Sequence, residues 1–274
     1  MSILLHLLTA VLYAGLALYF WKSRWALKSV ASKPTKTQGW ERLVILIPVA
    51  LHIWIIYGVS IAGMEIRFSF STALSLMLLL AVLLYWIESF FYSLEGIQTL
   101  VFIAAALCVP LPVLFPTHHI LIHTDSIAFK AHFLGAMLAY SLFTIAALHA
   151  LLMVFTEKKL HSAAVSGIIT QLPPLLTMEA MLFRIIGIGF FLLTITLISG
   201  ILFSETLFGR PLTFNHKIIF GVVSWLIFGA LLLGRYYRGW RGRTALRWTF
   251  IGFAALLLAY VGTRFVLEVI LGRN

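Results

Sequence analysis

Apolar residues fall in eight long blocks, at 2–21, 43–63, 71–87, 97–115, 131–155, 183–203, 218–234 and 246–270, with most charges in the short segments between them. A helix rises 1.5 Å per residue, so about 20 apolar residues cross the hydrocarbon layer of a bilayer. Within that layer every backbone N–H and C=O must be bonded inside the segment, which leaves helices as the only way to use such blocks. The pattern predicts an all-α integral membrane protein, a single polytopic domain over 1–274 with about eight transmembrane helices. The first block has its Lys and Arg after it and no small-residue cleavage site, so it reads as a retained helix and not a signal peptide.

Composition agrees. The chain is 62% hydrophobic and 11% charged, with a mean hydropathy of +1.04, where a soluble domain carries about 25% charged residues. Charge then sets orientation, because cytoplasmic loops hold the excess of Lys and Arg. Fourteen of the twenty Lys and Arg lie after the first, fifth and seventh blocks, among them Lys22, Arg42, Lys158, Arg235 and Arg243; six, including Arg67, Lys130, Lys217 and Arg264, lie on the other side. Both termini are therefore expected in the periplasm. Topology and anionic headgroups account for the net charge of +11, which gives no reason to expect nucleic acid as a partner.

Candidate chemistry is concentrated in histidine. The lone Cys108 excludes an intrachain disulfide or a cysteine metal centre, and no C-x-x-C-H haem-attachment signature is present. Nine histidines stand against nine acidic residues. His52 falls about 14 Å into the second block, near the bilayer centre, where an imidazole is either a ligand or a polar contact with a neighbouring helix. His132 opens the fifth block, and His216 the seventh, on the same outer side. His149 and His6 read as interface residues. His118, His119, His123 and Asp125 crowd one outer loop with imidazole and carboxylate donors, but their spacing matches no metal motif and reads as a solvated loop. Residues 171–184, with Pro173 and Pro174, predict an interfacial lead-in that puts Glu179 and Arg184 at the headgroups. The basic segment 235–243 reads as a topology signal that binds lipid phosphate.

Several of these residues carry a resemblance. Ser224-Trp225-Leu226-Ile227-Phe228 followed by Gly239-Trp240-Arg241-Gly242-Arg243 resembles the T-W-L-I-F and G-W-R-G-R pieces of the CcsA/CcmC-type haem-handling proteins of cytochrome c assembly. Pro173 through Arg184, Gly189 through Thr194, Ser199-Gly200, and His132 with Tyr140 are similar to other segments of that family. The likeness runs over 43–270 and is nearest the short YpjD-like branch. It implies haem held by histidines near the outer face, with His132 at the position of the family's first external ligand and His52 near its second-helix histidine. The family's tryptophan-rich loop aligns with Leu212 through Ile218, where only Lys217 matches. Its second external histidine would fall near Leu271, so His216 is the substitute expected as second axial ligand.

The resulting expectation is a haem-handling protein of the bacterial inner membrane that presents non-covalent haem b near the periplasmic face. His132 and His216 are the expected axial ligands of the iron, with His52, Trp225, Phe214 and Lys217 as further cofactor-binding residues. Phe133 and Phe220 would pack on the macrocycle, and Lys130 or Arg210 would join Lys217 at its propionates. Partners are the lipid bilayer, haem and another membrane protein of a cytochrome assembly or regulatory complex. The alternative is a non-catalytic membrane subunit or regulator that kept the fold and lost haem transfer. No nucleophile–base pair, phosphate loop or paired intramembrane carboxylates suggest an enzyme, and no Gly/Pro-broken helix pair suggests a transporter.

Overall fold

The computed structural model describes residues 3–25, 37–60, 66–91, 96–116, 120–121, 126–161, 175–202 and 216–271. Among them are eight helices long and apolar enough to span a membrane. These are α1 (Ile3–Arg24), α2 (Gly39–Ser60), α3 (Phe70–Phe91), α4 (Ile97–Leu114), α5 (Ile127–His161), α6 (Leu175–Leu202), α7 (His216–Arg238) and α8 (Gly242–Ile270). Their packing divides them into two rings of four. α1 and α3 each pack on α2 and α4; α5 and α7 each pack on α6 and α8; α3 and α4 lean on α5 to join the rings. Antiparallel β1 (Ile66–Arg67) and β2 (Ile120–Leu121) pair outside the helices.

Most helices outrun the apolar blocks that predict them. α2 starts at Gly39 and not 43, and α3 continues to Phe91. α5 runs from Ile127 through Glu157 and Lys158 to His161, so His132 lies in its second turn instead of opening it. A change from apolar to polar residues marks where hydrocarbon ends, whereas i→i−4 bonding continues into the headgroup layer. α6 is the largest departure. It begins at Leu175, so Glu179 and Arg184 are helical residues and not part of an interfacial lead-in.

Local chemistry explains several ends. Ser69 caps α3, its hydroxyl accepting the Thr72 N–H at 3.3 Å and its carbonyl the Ala73 N–H at 2.9 Å. α4 is interrupted at Pro110, after Cys108 and Val109, because proline lacks the N–H that would continue the ladder. α7 stops at Gly239, whose φ of 64° is the left-handed conformation of a helix C-terminus, and the Trp240 N–H reaches back to Gly234 O at 3.2 Å. The Trp240 ring then lies flat against Gly234, leaving no room for a Cβ there. Gly234→Ala should cost about 1–3 kcal/mol, read as a lowered Tm in detergent; an unchanged Tm would show that the turn relaxes freely.

Among the described residues, the ion pairs lie at the end of the molecule rich in Lys and Arg, the basic face. Glu41 is 2% exposed and receives Arg24 at 3.1 Å, the Tyr19 hydroxyl at 2.8 Å and the Gln38 N–H at 2.6 Å. Glu179 is 5% exposed and is bonded by Arg235 and by the Gly242 N–H at 3.1 Å, with Arg241 at 3.8 Å. Arg243 pairs with Glu157 at 2.7 Å. The basic segment 235–243 is thus folded onto α5 and α6 by carboxylates, which the lipid-binding expectation did not include. Arg42 ties α2 to α3 through Ser89 O at 2.6 Å and the Phe90 ring at 4.3 Å.

Candidate functional site

Away from the basic face, all four helices of the second ring bring polar side chains to one end. α5 contributes His132, α6 Ser199, α7 His216 and Lys217, and α8 Arg264 and Glu268. His132 is half-buried, and its Nδ1 lies 2.9 Å from Ser199 Oγ. The Ser199 hydroxyl donates to Thr196 O at 3.0 Å. With that proton committed to the α6 backbone, Oγ accepts from Nδ1–H, which leaves the lone pair of the neutral imidazole on Nε2. Gly200 makes space for the ring, since a Cβ there would stand 3.2 Å from His132 Cε1. A serine and a glycine in sequence therefore orient and accommodate one histidine on the facing helix.

An aromatic cluster flanks it. The Phe133 ring meets Phe68 edge-on at 4.9 Å and stacks on Phe129 at 6.1 Å, while Phe68 lies 5.8 Å from Tyr260. Lys217 holds its ammonium 5.3 Å from the Tyr260 ring centre. His216 is exposed at the first residue of α7. Trp225 lies about 13 Å along the same helix. Its indole N–H donates to Thr194 Oγ1 at 2.8 Å and its ring stacks on Phe190 at 5.6 Å, so it fixes α7 against α6.

His52 belongs to the other ring. It is fully buried, with Nδ1 3.3 Å from the Tyr13 hydroxyl on α1 and Nε2 2.9 Å from Ser75 Oγ on α3. Hydroxyls donate and accept equally well, so either tautomer is satisfied. His52 is therefore not brought together with His132. His149 is also buried, its Nε2 2.9 Å from Met178 O. Phe214, Arg210 and the loop histidines His118, His119 and His123 lie outside the described residues. Among the described residues no three His, Cys, Asp or Glu side chains converge on a metal position.

The partners that sequence reading missed are Ser199 for His132, and Tyr13 and Ser75 for His52. One signal was available for Ser199. A Ser-Gly pair in an apolar block offers a hydroxyl beside a gap, which is how membrane helices approach and bond across an interface.

Residues 39–271 match the family model described as cytochrome C assembly protein. The chain belongs to that family. It is 33% identical over 135 residues to the inner membrane protein YpjD of Escherichia coli strain K12, covering 49% of this chain and 50% of that one. An uncharacterized 28.8 kDa protein of Azospirillum brasilense is 34% identical over 143 residues, 52% of each chain. The cytochrome c biogenesis protein CcsA of Gloeobacter violaceus is 30% identical over 92 residues, 34% of this chain and 27% of that one. The chain thus spans about half the length of the first two relatives and about a quarter of the third. No solved structure matches it. Its eight apolar helices and its inner-membrane relatives make it a multi-pass inner-membrane protein.

Proposed function

We propose that this protein binds haem non-covalently at the His132 end of its second four-helix ring and presents it there within cytochrome c assembly. Family membership supports a role related to cytochrome c biogenesis. The observation that carries the haem reading is the Thr196–Ser199–His132 chain of hydrogen bonds, which orients the imidazole and assigns the lone pair to Nε2. Iron-ligating histidines are usually held in this way, the second ring nitrogen donating to an outer partner that fixes tautomer and angle.

The donor set fits haem. His132 would supply one nitrogen to the iron, His216 is the candidate for the second, and Phe133 would offer apolar surface to the macrocycle. Lys217 is the candidate partner of a propionate. When bound, the iron would be held by two imidazoles with no open position for oxygen, which suits carriage of haem and not oxidation. The protein's own part is to hold the His132 ring, exclude lipid from the mouth of the ring of helices and keep that face towards a recipient. On this reading the His132 face is periplasmic, as the distribution of Lys and Arg suggests. Trp225 acts as a packing residue under the mouth, and His52 as a polar tie within the first ring.

A visible spectrum of the protein purified in mild detergent tests this. A reducible Soret band with near-stoichiometric haem is expected. A colourless preparation that takes up no added haem would sink it, and would favour a membrane subunit that kept the fold without the cofactor. That second reading has one observation in its favour, the replacement of the family's tryptophan-rich loop by Leu212 through Ile218.

A further inference from the structure

Between α5 and α6 lies a histidine that the haem reading does not use. His149 Nε2 stands 2.9 Å from Met178 O. A carbonyl only accepts, so Nε2 carries the proton and the lone pair of the neutral ring is on Nδ1. That nitrogen is buried, and among the described residues nothing donates to it. A buried acceptor left unmet is costly, and in hydrocarbon every polar group has to be met from within the protein. His132 has its lone pair assigned in the same way, by Ser199. His149 differs in being 3% exposed, shut inside the helix contact.

The side chains beside it are thioethers. Met153 is one turn further along α5, about 6 Å of rise. Helical side chains lean toward the N-terminus of their own helix and onto the i−4 face, which lays Met153 against His149. α6 starts at the basic face and runs opposite to α5. Met178 therefore leans away from its own carbonyl, toward the level of Met153. The two methionines are 4% and 1% exposed and belong to one buried core. Three rotatable bonds and a polarisable sulfur let each adapt to a neighbouring atom.

We infer that His149 Nδ1, Met153 Sδ and Met178 Sδ form a three-coordinate site for cuprous copper. Thioether and imidazole are soft or intermediate donors that suit Cu(I), whereas Mg2+ and Ca2+ take carboxylate, carbonyl and water oxygens. The nearest carboxylate, Glu179, is committed to Arg235 and to the Gly242 N–H. The Met178 carbonyl is likewise committed, and its bond to Nε2–H is the outer contact that fixes tautomer and angle in metal-ligating histidines. His149 is nine positions before Lys158, about 14 Å along α5, so the ion enters from the basic face. It binds and leaves as Cu(I), with no redox step. His132 is seventeen positions away, about 26 Å along the same helix, and the copper site stands or falls independently of the haem reading.

The full-length protein in neutral detergent, stripped of metal, is titrated anaerobically with Cu(I) against bicinchoninate, and the bound metal is examined by X-ray absorption. Wild type should hold a single equivalent with both sulfur and nitrogen scatterers. The Met153→Leu, Met178→Leu double variant should bind that equivalent at least about tenfold more weakly, because losing a ligand costs no less than losing an outer partner. Leucine nearly keeps the volume of methionine, so the Tm should barely move. His149→Gln, whose amide can still donate to Met178 O, should weaken Cu(I) to a similar degree. Wild type that takes up no Cu(I) overturns the site. So does equal affinity in wild type and the double variant, or bound copper without sulfur scatterers. A lowered Tm in His149→Gln with copper binding intact would make the histidine a packing tie and overturn it as well.

Discussion

Glu179→Ala is expected to lower the detergent-solution Tm by roughly 10 °C. The carboxylate is buried among three helices, bonded by Arg235 of α7 and by the Gly242 N–H where α8 begins, with Arg241 nearby. Removing one partner of a buried pair leaves the other charge without compensation, which costs about 3–5 kcal/mol, and each kcal/mol moves Tm by about 2–4 °C in a chain of this size. Arg235 would keep only a 3.4 Å contact with Trp240 O and the face of Phe183. The turn that ends α7 and starts α8 would then lose the anchor holding it to α6. Arg243→Ala is the matched control. Its pair with Glu157 is at the surface, the arginine side chain being 70% exposed, and such pairs contribute about 0–1 kcal/mol. Differential scanning fluorimetry of the two variants beside wild type reads the contrast. Equal shifts would mean that burial of Glu179 contributes nothing special.

The second large effect concerns the cofactor. His132→Ala should reduce haem retained through purification at least tenfold, measured as pyridine haemochrome per mole of protein, because the porphyrin would lose an axial bond that packing alone does not replace. The variant should still fold, since the ring is half-buried at a helix end and its removal leaves Ser199 bonded to Thr196 O. Ser199→Ala should show a smaller loss, of no more than about tenfold in affinity, the low end of what removing the outer hydrogen-bond partner of a metal-ligating histidine costs. Wild-type haem content in His132→Ala would remove His132 from the ligand set.

The sequence shows the membrane architecture plainly, because hydrocarbon imposes one length and one way of satisfying backbone groups on every block. It shows helix limits poorly for the same reason. Glu179 reads as a headgroup residue when only polarity is considered, yet its partners, Arg235 and Gly242, are 56 and 63 positions away. The site divides in the same manner. His132 is conspicuous as an imidazole near the start of an apolar block, whereas Ser199, which orients it, lies 67 residues on in another helix. His52 and His132 look alike as intramembrane histidines. Only the fold separates them, one with both nitrogens met by hydroxyls of its own ring of helices, the other at a mouth where cations gather. Trp225, which resembles a family aromatic, proves to be held by Thr194 and Phe190.

Chemical replacement of the imidazole tests whether His132 holds the iron. Ferric haem is titrated into His132→Gly with and without free imidazole, and the spin state of the iron is followed by electron paramagnetic resonance. Wild type should give a low-spin signal, His132→Gly should lose it, and the signal should return when imidazole fills the space beside Ser199 and Gly200. A low-spin signal in His132→Gly identical to wild type, with no response to imidazole, would contradict the assignment of His132 to the iron.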